Sequence, residues 1–149
     1  MVVLDFKVLF RKGHQENGRV TVHESYSCDF VIDGNPMLDR IVKELGGHKD
    51  FLGCFARGWH KLNEHSLKQL LLQEKPETES GRSLIYVCPE CADIGCGAFG
   101  CKITKTEDSY VWGDFAYENG YEDPQPIAIG PFEFAAENYE SVVRAAYKL

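Results

Sequence analysis

The sequence contains no long run of apolar residues. The apolar start of the chain, residues 1–10, is interrupted by Asp5 and Lys7, and no small-residue cleavage site follows it. A secretory signal peptide needs an uninterrupted apolar stretch before such a site, and a membrane-spanning helix needs about 20 mostly apolar residues. We therefore predict a cytoplasmic protein that neither is exported nor binds a membrane.

The sequence also lacks an excess of positive charge. Sixteen Lys and Arg residues face 23 Asp and Glu residues, which gives a formal net charge of −7. The phosphate backbone of nucleic acid repels an acidic domain, so we expect no nucleic-acid partner. A basic protein is the charged partner that this balance favours, because opposite charges steer association.

Motifs of common enzyme sites are missing as well. The five histidines match no metal-ligand spacing such as His-Glu-x-x-His, and no serine lies in a nucleophile-elbow pattern. No glycine-rich loop follows a strand and opens a helix, which is the arrangement that binds phosphate. We therefore assign no catalytic residue and no cofactor, and a binding function is favoured over an enzymatic one.

Apolar and aromatic residues, in contrast, are plentiful. Hydrophobic residues make up 44% of the 149 positions and include nine Phe and seven Tyr. A chain of this length can bury a core without disulfides or metal, so we predict a single globular domain over residues 1–149. Cys28 and Cys54 lie alone in apolar surroundings and are predicted to be buried thiols.

The order of hydrophobic patterns predicts an α+β fold, with a mainly antiparallel sheet built from hairpins and about three helices packed on it. Asn17-Gly18 is a strong hairpin-turn signal, and Asn35-Pro36 is a helix-start signal. Asn63 is predicted to cap a second helix. The predicted strands are 2–10, 20–32, 83–87, 98–105, 110–117 and 131–134, and the predicted helices are 36–45, 63–73 and 135–149.

Four of the six cysteines, Cys88, Cys91, Cys96 and Cys101, lie within fourteen residues. Our preferred interpretation is a glycine-rich turn between two strands whose thiols fill small interior spaces. Strand alternation places Cys101 on the same face as Phe99 and Ile103, which is typical of a core residue. No bound metal is expected under this interpretation.

A zinc site is the alternative for the same segment. Four thiolates about 2.3 Å from Zn²⁺ make a closed structural site, and glycines between them let the backbone bend around the ion. Residues 88–101 resemble the zinc-knuckle family, although that pattern has His where Cys96 stands. The resemblance implies zinc bound by Cys88, Cys91, Cys96 and Cys101, and contact with single-stranded nucleic acid.

A third interpretation is thiol redox chemistry. Cys88 and Cys91 form a Cys-x-x-Cys pair after a predicted strand, which is similar to thioredoxin-like proteins. That chemistry needs the first thiolate at the N-terminus of a helix, where the helix dipole lowers its pKa. Residues 92–97 contain two glycines and no amphipathic pattern, so no helix is predicted there.

A candidate partner-binding surface follows the cysteines. Residues 110–123 mix aromatic rings with carboxylates, and aromatic anchors surrounded by acids suit a basic protein partner. Alternation places Trp112 and Asp114 on one face of a strand. The residues that we predict to contact the partner are Trp112, Asp114, Glu118, Tyr121, Glu122 and Asp123.

The C-terminal half resembles a set of small uncharacterised bacterial proteins. The shared features are the Cys88-Pro-Glu-Cys91 segment with its following Gly95-Cys96-Gly97, then Trp112-Gly-Asp114-Phe115, then Gly130-Pro131-Phe132. The resemblance implies a bacterial cytoplasmic protein and supplies no catalytic residue. The small size, the acidity, the apolar core, the acidic aromatic surface and the lack of a catalytic constellation lead to a separate hypothesis: an immunity protein that neutralises a basic, nuclease-like toxin by direct binding.

Overall fold

Two long antiparallel strands and a small hairpin between them form the first part of the chain. The computed structural model describes residues 1–149. The turn at Asn17-Gly18 has positive φ at both residues, 51° and 75°, as a tight hairpin requires, which confirms the predicted turn. The elements are β1 (Leu4–Arg11), β2 (His14–Glu16), β3 (Arg19–Val22), β4 (Ser25–Ile32), β5 (Asn35–Pro36) and α1 (Met37–Leu45).

The rest of the chain contributes a larger antiparallel sheet and two more helices. Its strands are ordered β10-β9-β8-β7-β6, and β11 pairs with the other half of β9. This arrangement confirms the predicted α+β class. The elements are β6 (Leu52–Gly53), α2 (His60–Leu70), β7 (Ser83–Val87), β8 (Ala98–Lys105), β9 (Ser109–Glu118), β10 (Gln125–Pro126), β11 (Phe132–Ala135) and α3 (Ala136–Tyr147).

Two isolated bridges join the two main sheets. Val2 pairs with Phe134 in a parallel bridge, and Cys28 pairs with Cys54 in an antiparallel one. A core of 24 buried residues lies between the sheets and the helices. Cys28 and Cys54 are 0% and 6% exposed, which confirms the prediction of buried thiols.

The helices pack their apolar faces on this core. In α1, Met37, Leu38 and Ile41 are buried. The prediction that Asn63 caps α2 is wrong, because the helix begins at His60 and the Asn63 amide instead donates a hydrogen bond to the Ala56 carbonyl at 2.7 Å. None of the three helices is long and apolar enough to cross a membrane.

Strand β9 contains a bulge that interrupts its alternation. Asp114 has a φ of 51°, and the pairing of β8 with β9 shifts by one residue between Gly100 and Lys102. Because of the extra residue, the Asp114 side chain points outward. Trp112, two residues before it, and Phe115, directly after it, are both buried. Trp112 and Asp114 therefore do not share a face, contrary to the prediction from regular alternation.

Candidate metal centre

The segment that carries the site is the ten-residue connection from β7 to β8, residues 88–97, which we call the cysteine loop. It turns back on itself because the Ala92 amide donates to the Cys88 carbonyl at 2.8 Å and Ala92 has a φ of 52°. A single 3₁₀ turn, Ile94–Cys96, follows. No α-helix follows Cys91, as the sequence predicted, so the helix dipole that thioredoxin-like chemistry uses is absent.

Three cysteine side chains converge in this loop. The Sγ atoms of Cys88, Cys91 and Cys96 all lie within 4.8 Å of one another. Two thiolates that bind one tetrahedral zinc ion at about 2.3 Å are about 3.8 Å apart. The three sulfurs would therefore have to move only slightly closer together for all of them to bind one zinc ion. Cys88 is half-buried, whereas Cys91 and Cys96 are exposed.

Cys101 does not belong to this cluster. It lies in β8, is 0% exposed, and belongs to the hydrophobic core. The interior packing that we preferred for the cysteines is thus confirmed for Cys101 and wrong for the exposed Cys91 and Cys96. The four-thiolate site expected under the zinc interpretation is likewise wrong in its fourth ligand, because strand pairing places Cys101 in the core.

The three thiols differ in their acidity. Burial raises the pKa of Cys88, but the backbone amides of Cys91 and Glu90 and the two neighbouring thiols favour its thiolate more strongly, so its pKa is lowered overall. The pKa of Cys96 is raised to about 12, first because it donates to Cys91 and also because of desolvation. Between these two thiols, Cys88 is therefore the one that ionises more readily, and a metal ligand has to be a thiolate.

Polar contacts from the first part of the chain fix the base of the cysteine loop. The carboxylate of Glu90 accepts from Arg11 Nη1 at 2.9 Å and contacts His23 Nδ1 at 2.8 Å. These partners, His23 first, lower the pKa of Glu90 to about 2. Nothing in the sequence indicated these contacts, because Arg11 and His23 come from the first hairpins.

Close packing fixes the end of the loop. Gly97 has a φ of 95°, and a Cβ atom built on it would lie 2.0 Å from the Tyr117 hydroxyl. Only glycine fits there, which explains the glycine that follows Cys96. A Cβ built on Gly95 would lie 3.5 Å from the hydroxyl of Tyr121, so the segment 119–123, which we call the acidic loop, lies directly beside the cysteine loop.

Two of the six predicted partner-contacting residues are not available to a partner. Trp112 is 0% exposed, and its indole N–H donates to the Tyr139 hydroxyl at 3.1 Å within the core. Glu118 is 6% exposed and lies 3.5 Å from the Arg82 guanidinium. The predictions for these two residues are wrong, because their side chains face inward and are needed for packing and charge pairing.

The other four predicted residues are exposed. Asp114 pairs with Arg82 at 2.8 Å and with Lys102 at 3.0 Å, so its charge is already compensated. Tyr121 is 84% exposed, and Glu122 and Asp123 beside it are exposed. The part of the predicted surface that remains is therefore the acidic loop.

No protein-family model, no curated protein and no solved structure matches this chain. The resemblance to small bacterial proteins consequently stays a prediction.

Proposed function

We propose that this protein binds a thiophilic metal ion, zinc in a reducing cytoplasm, through Cys88, Cys91 and Cys96. The observation that carries the proposal is the convergence of the three sulfurs within 4.8 Å. Thiolate is the ligand that zinc and other soft ions prefer, and the lowered pKa of Cys88 supports binding near neutral pH.

Such a site would differ from a zinc knuckle in its open fourth position. Three protein ligands with one exchangeable position are typical of zinc sites that bind a further ligand, whereas structural sites are closed by four. Because the core does not depend on the cysteine loop, we propose that metal binding serves a function at the surface rather than overall folding.

Metal content measured after purification without added zinc tests this proposal. We expect close to one zinc per chain for the wild type and a loss of most of it in Cys96→Ser, since removing one of three thiolates weakens binding strongly. Cys101→Ala is the matched control and should keep its metal, because Cys101 lies outside the cluster.

Two outcomes would contradict the proposal. One is less than about 0.1 zinc per wild-type chain together with no uptake from added zinc under reducing conditions. The other is equal loss of metal from the Cys96 and Cys101 variants. A disulfide between two of the three loop cysteines in protein isolated from the cytoplasm would instead favour redox chemistry.

A second candidate function is binding of a basic protein, supported by the exposed Tyr121. The Asn119 side chain accepts hydrogen bonds from the amides of Tyr121 and Glu122 at 2.9 and 3.0 Å, so the tip of the acidic loop is ordered around an exposed ring. An aromatic anchor with flanking carboxylates suits a basic partner. The narrowest form of this proposal is an immunity protein for a nuclease-like toxin.

Affinity chromatography from a bacterial lysate at low salt tests this second function. Immobilised wild-type protein should retain a basic protein that elutes with salt, because its charged contacts are screened. The variant Tyr121→Ala/Glu122→Gln/Asp123→Asn should not retain it, and Glu107→Gln, on another exposed turn, should. Retention of the same proteins by wild type and triple variant would reject this surface.

A further inference from the structure

A cavity of about 230 Å³ lies between α2 and the strands β6 and β7. Its apolar lining comes from both sides: helix α2 supplies one wall, the two strands supply the floor, and the cysteine loop closes one end. The apolar residues are Leu52, Leu62, Leu84, Ile85, Val87 and Ile94. The volume is below the roughly 300–1,000 Å³ of pockets for drug-sized ligands, so the cavity suits a smaller molecule.

The permanent charges that line this cavity are negative. Glu77 and Asp93 line it from opposite connections, and no lysine or arginine does. Neither carboxylate lies within 4.0 Å of a basic side chain anywhere in the structure. His65 also lines the cavity, and its Nδ1 lies 2.9 Å from the Glu74 carboxylate. The cavity thus combines an apolar floor with two uncompensated negative charges.

The remaining polar lining adds hydrogen-bonding groups. Ser66, Gln69 and Thr78 contribute side chains that accept as well as donate. The Cys54 thiol at the floor points its proton towards the Ile85 carbonyl at 3.6 Å, so it does not present a charge. An ammonium group entering the cavity would therefore meet acceptors, whereas a carboxylate or phosphate would meet no lysine or arginine.

We propose that this cavity binds a small organic cation, a primary amine with a compact apolar body. The apolar body would fill the space over Leu84 and Ile85, and the ammonium group would lie at the mouth between Glu77 and Asp93. This inference does not depend on the metal site, because none of the three clustered cysteines lines the cavity.

Three ring compounds that differ only in their polar group test the proposal: cyclohexylamine, cyclohexanol and cyclohexanecarboxylate. Each is titrated into the full chain at pH 7, and the backbone amide signals are followed by NMR. We expect the amine to shift the signals of Leu52, Leu84 and Ile94, and to bind about twofold to fivefold tighter than the alcohol, as one solvent-exposed ion pair allows. The carboxylate should bind most weakly.

Variants of the lining residues then distinguish the effect of the two carboxylates on binding from the effect of the cavity's shape. Glu77→Gln/Asp93→Asn should make the affinities for amine and alcohol equal, whereas Glu79→Gln, an exposed carboxylate outside the lining, should leave the preference intact. Leu62→Trp should fill the cavity and abolish binding of all three compounds. Because these side chains are at least partly exposed, the fold should tolerate the changes, and the NMR spectra report directly whether it does.

Two results would overturn the proposal. The first is binding of cyclohexanecarboxylate as tight as that of cyclohexylamine, which would show that the carboxylates do not select the ligand. The second is no shift of the lining residues with any of the three compounds.

Discussion

The buried carboxylate of Asp29 is the residue whose titration should affect stability most directly. Asp29 is 2% exposed and accepts a hydrogen bond from the Tyr86 hydroxyl and another from the Leu38 amide at 3.3 Å. Desolvation raises its pKa above the ordinary value of 3.8, and it outweighs the opposing effects of these two donors and of Lys7. Asp39 raises the pKa slightly further.

This raised pKa gives a definite direction to the pH dependence. A carboxyl that holds its proton more tightly in the folded state contributes stability that is fully present below pH 3.8 and is lost as the pH rises through the folded-state pKa. The side-chain amide introduced by Asp29→Asn can still accept from Tyr86 but carries no charge. We therefore expect the free energy of unfolding of the wild type to fall relative to that of the variant between pH 3.5 and pH 7. Urea unfolding at several pH values measures it, and a constant or growing advantage of the wild type would contradict the assignment.

At the level of single residues, sequence reasoning succeeded where the environment is local. The burial of Cys28, Cys54 and Cys101 followed from apolar neighbours and strand alternation. It failed for Trp112 and Glu118, because their surroundings are supplied by Tyr139 and Arg82 from distant parts of the chain. An aromatic residue next to an acidic one gives the same sequence pattern in a buried strand as on an exposed surface, so the pattern does not distinguish the two locations.

At the level of elements, Arg82 holds the bulge of β9 against the start of β7. Its Nε donates to the Asp114 carbonyl at 2.7 Å, its Nη2 to the Asp114 carboxylate at 2.8 Å, and its Nη1 lies 3.5 Å from Glu118. The Arg82 and Glu118 side chains are 8% and 7% exposed, so the contact between them is shielded from water, whereas the Asp114 carboxylate is about half exposed. The guanidinium thus donates a hydrogen bond to the Asp114 backbone carbonyl, which at the bulge takes no part in the regular pairing of β9 with β8.

Replacing Arg82 with Met should therefore be strongly destabilising. Loss of one partner from a buried charge pair lowers the free energy of unfolding by about 3–5 kcal/mol, since Glu118 would remain buried without its cation. Lys102→Met is the control: Lys102 also pairs with Asp114, but both side chains are about half exposed, so its loss should be below about 1 kcal/mol. Urea unfolding at pH 7 measures both, and similar losses in the two variants would refute this account of the bulge.

The same bulge shows why element patterns could not predict the exposed face of β9. Strand alternation assumes regular pairing, and one extra residue at Asp114 reverses which side chains point inward after it. The start of α2 was missed for a similar reason: Asn63 has the side chain of a cap, but its amide bonds to Ala56 from inside the helix.

At the level of the whole molecule, the sequence was sufficient for the class and order of elements. The Asn17-Gly18 turn, the presence of three helices and the strand leading into the cysteine loop all come from local signals. The closure of the two sheets was not predictable, because it depends on two bridges between residues far apart, Val2 with Phe134 and Cys28 with Cys54. The preferred interpretation expected no metal, whereas the zinc alternative named all three cysteines that converge, since the spacing of Cys88, Cys91 and Cys96 is local and the exclusion of Cys101 depends on strand pairing.

One short strip of backbone belongs to both proposed binding sites. Residues 92–94 connect Cys91 with the turn that carries Cys96, and the same residues close one end of the cavity under α2. An ion that draws the sulfurs together would reposition that strip, and an amine held below it would resist or favour the same movement. Thermodynamic reciprocity then requires that each occupant change the affinity of the other by one common factor.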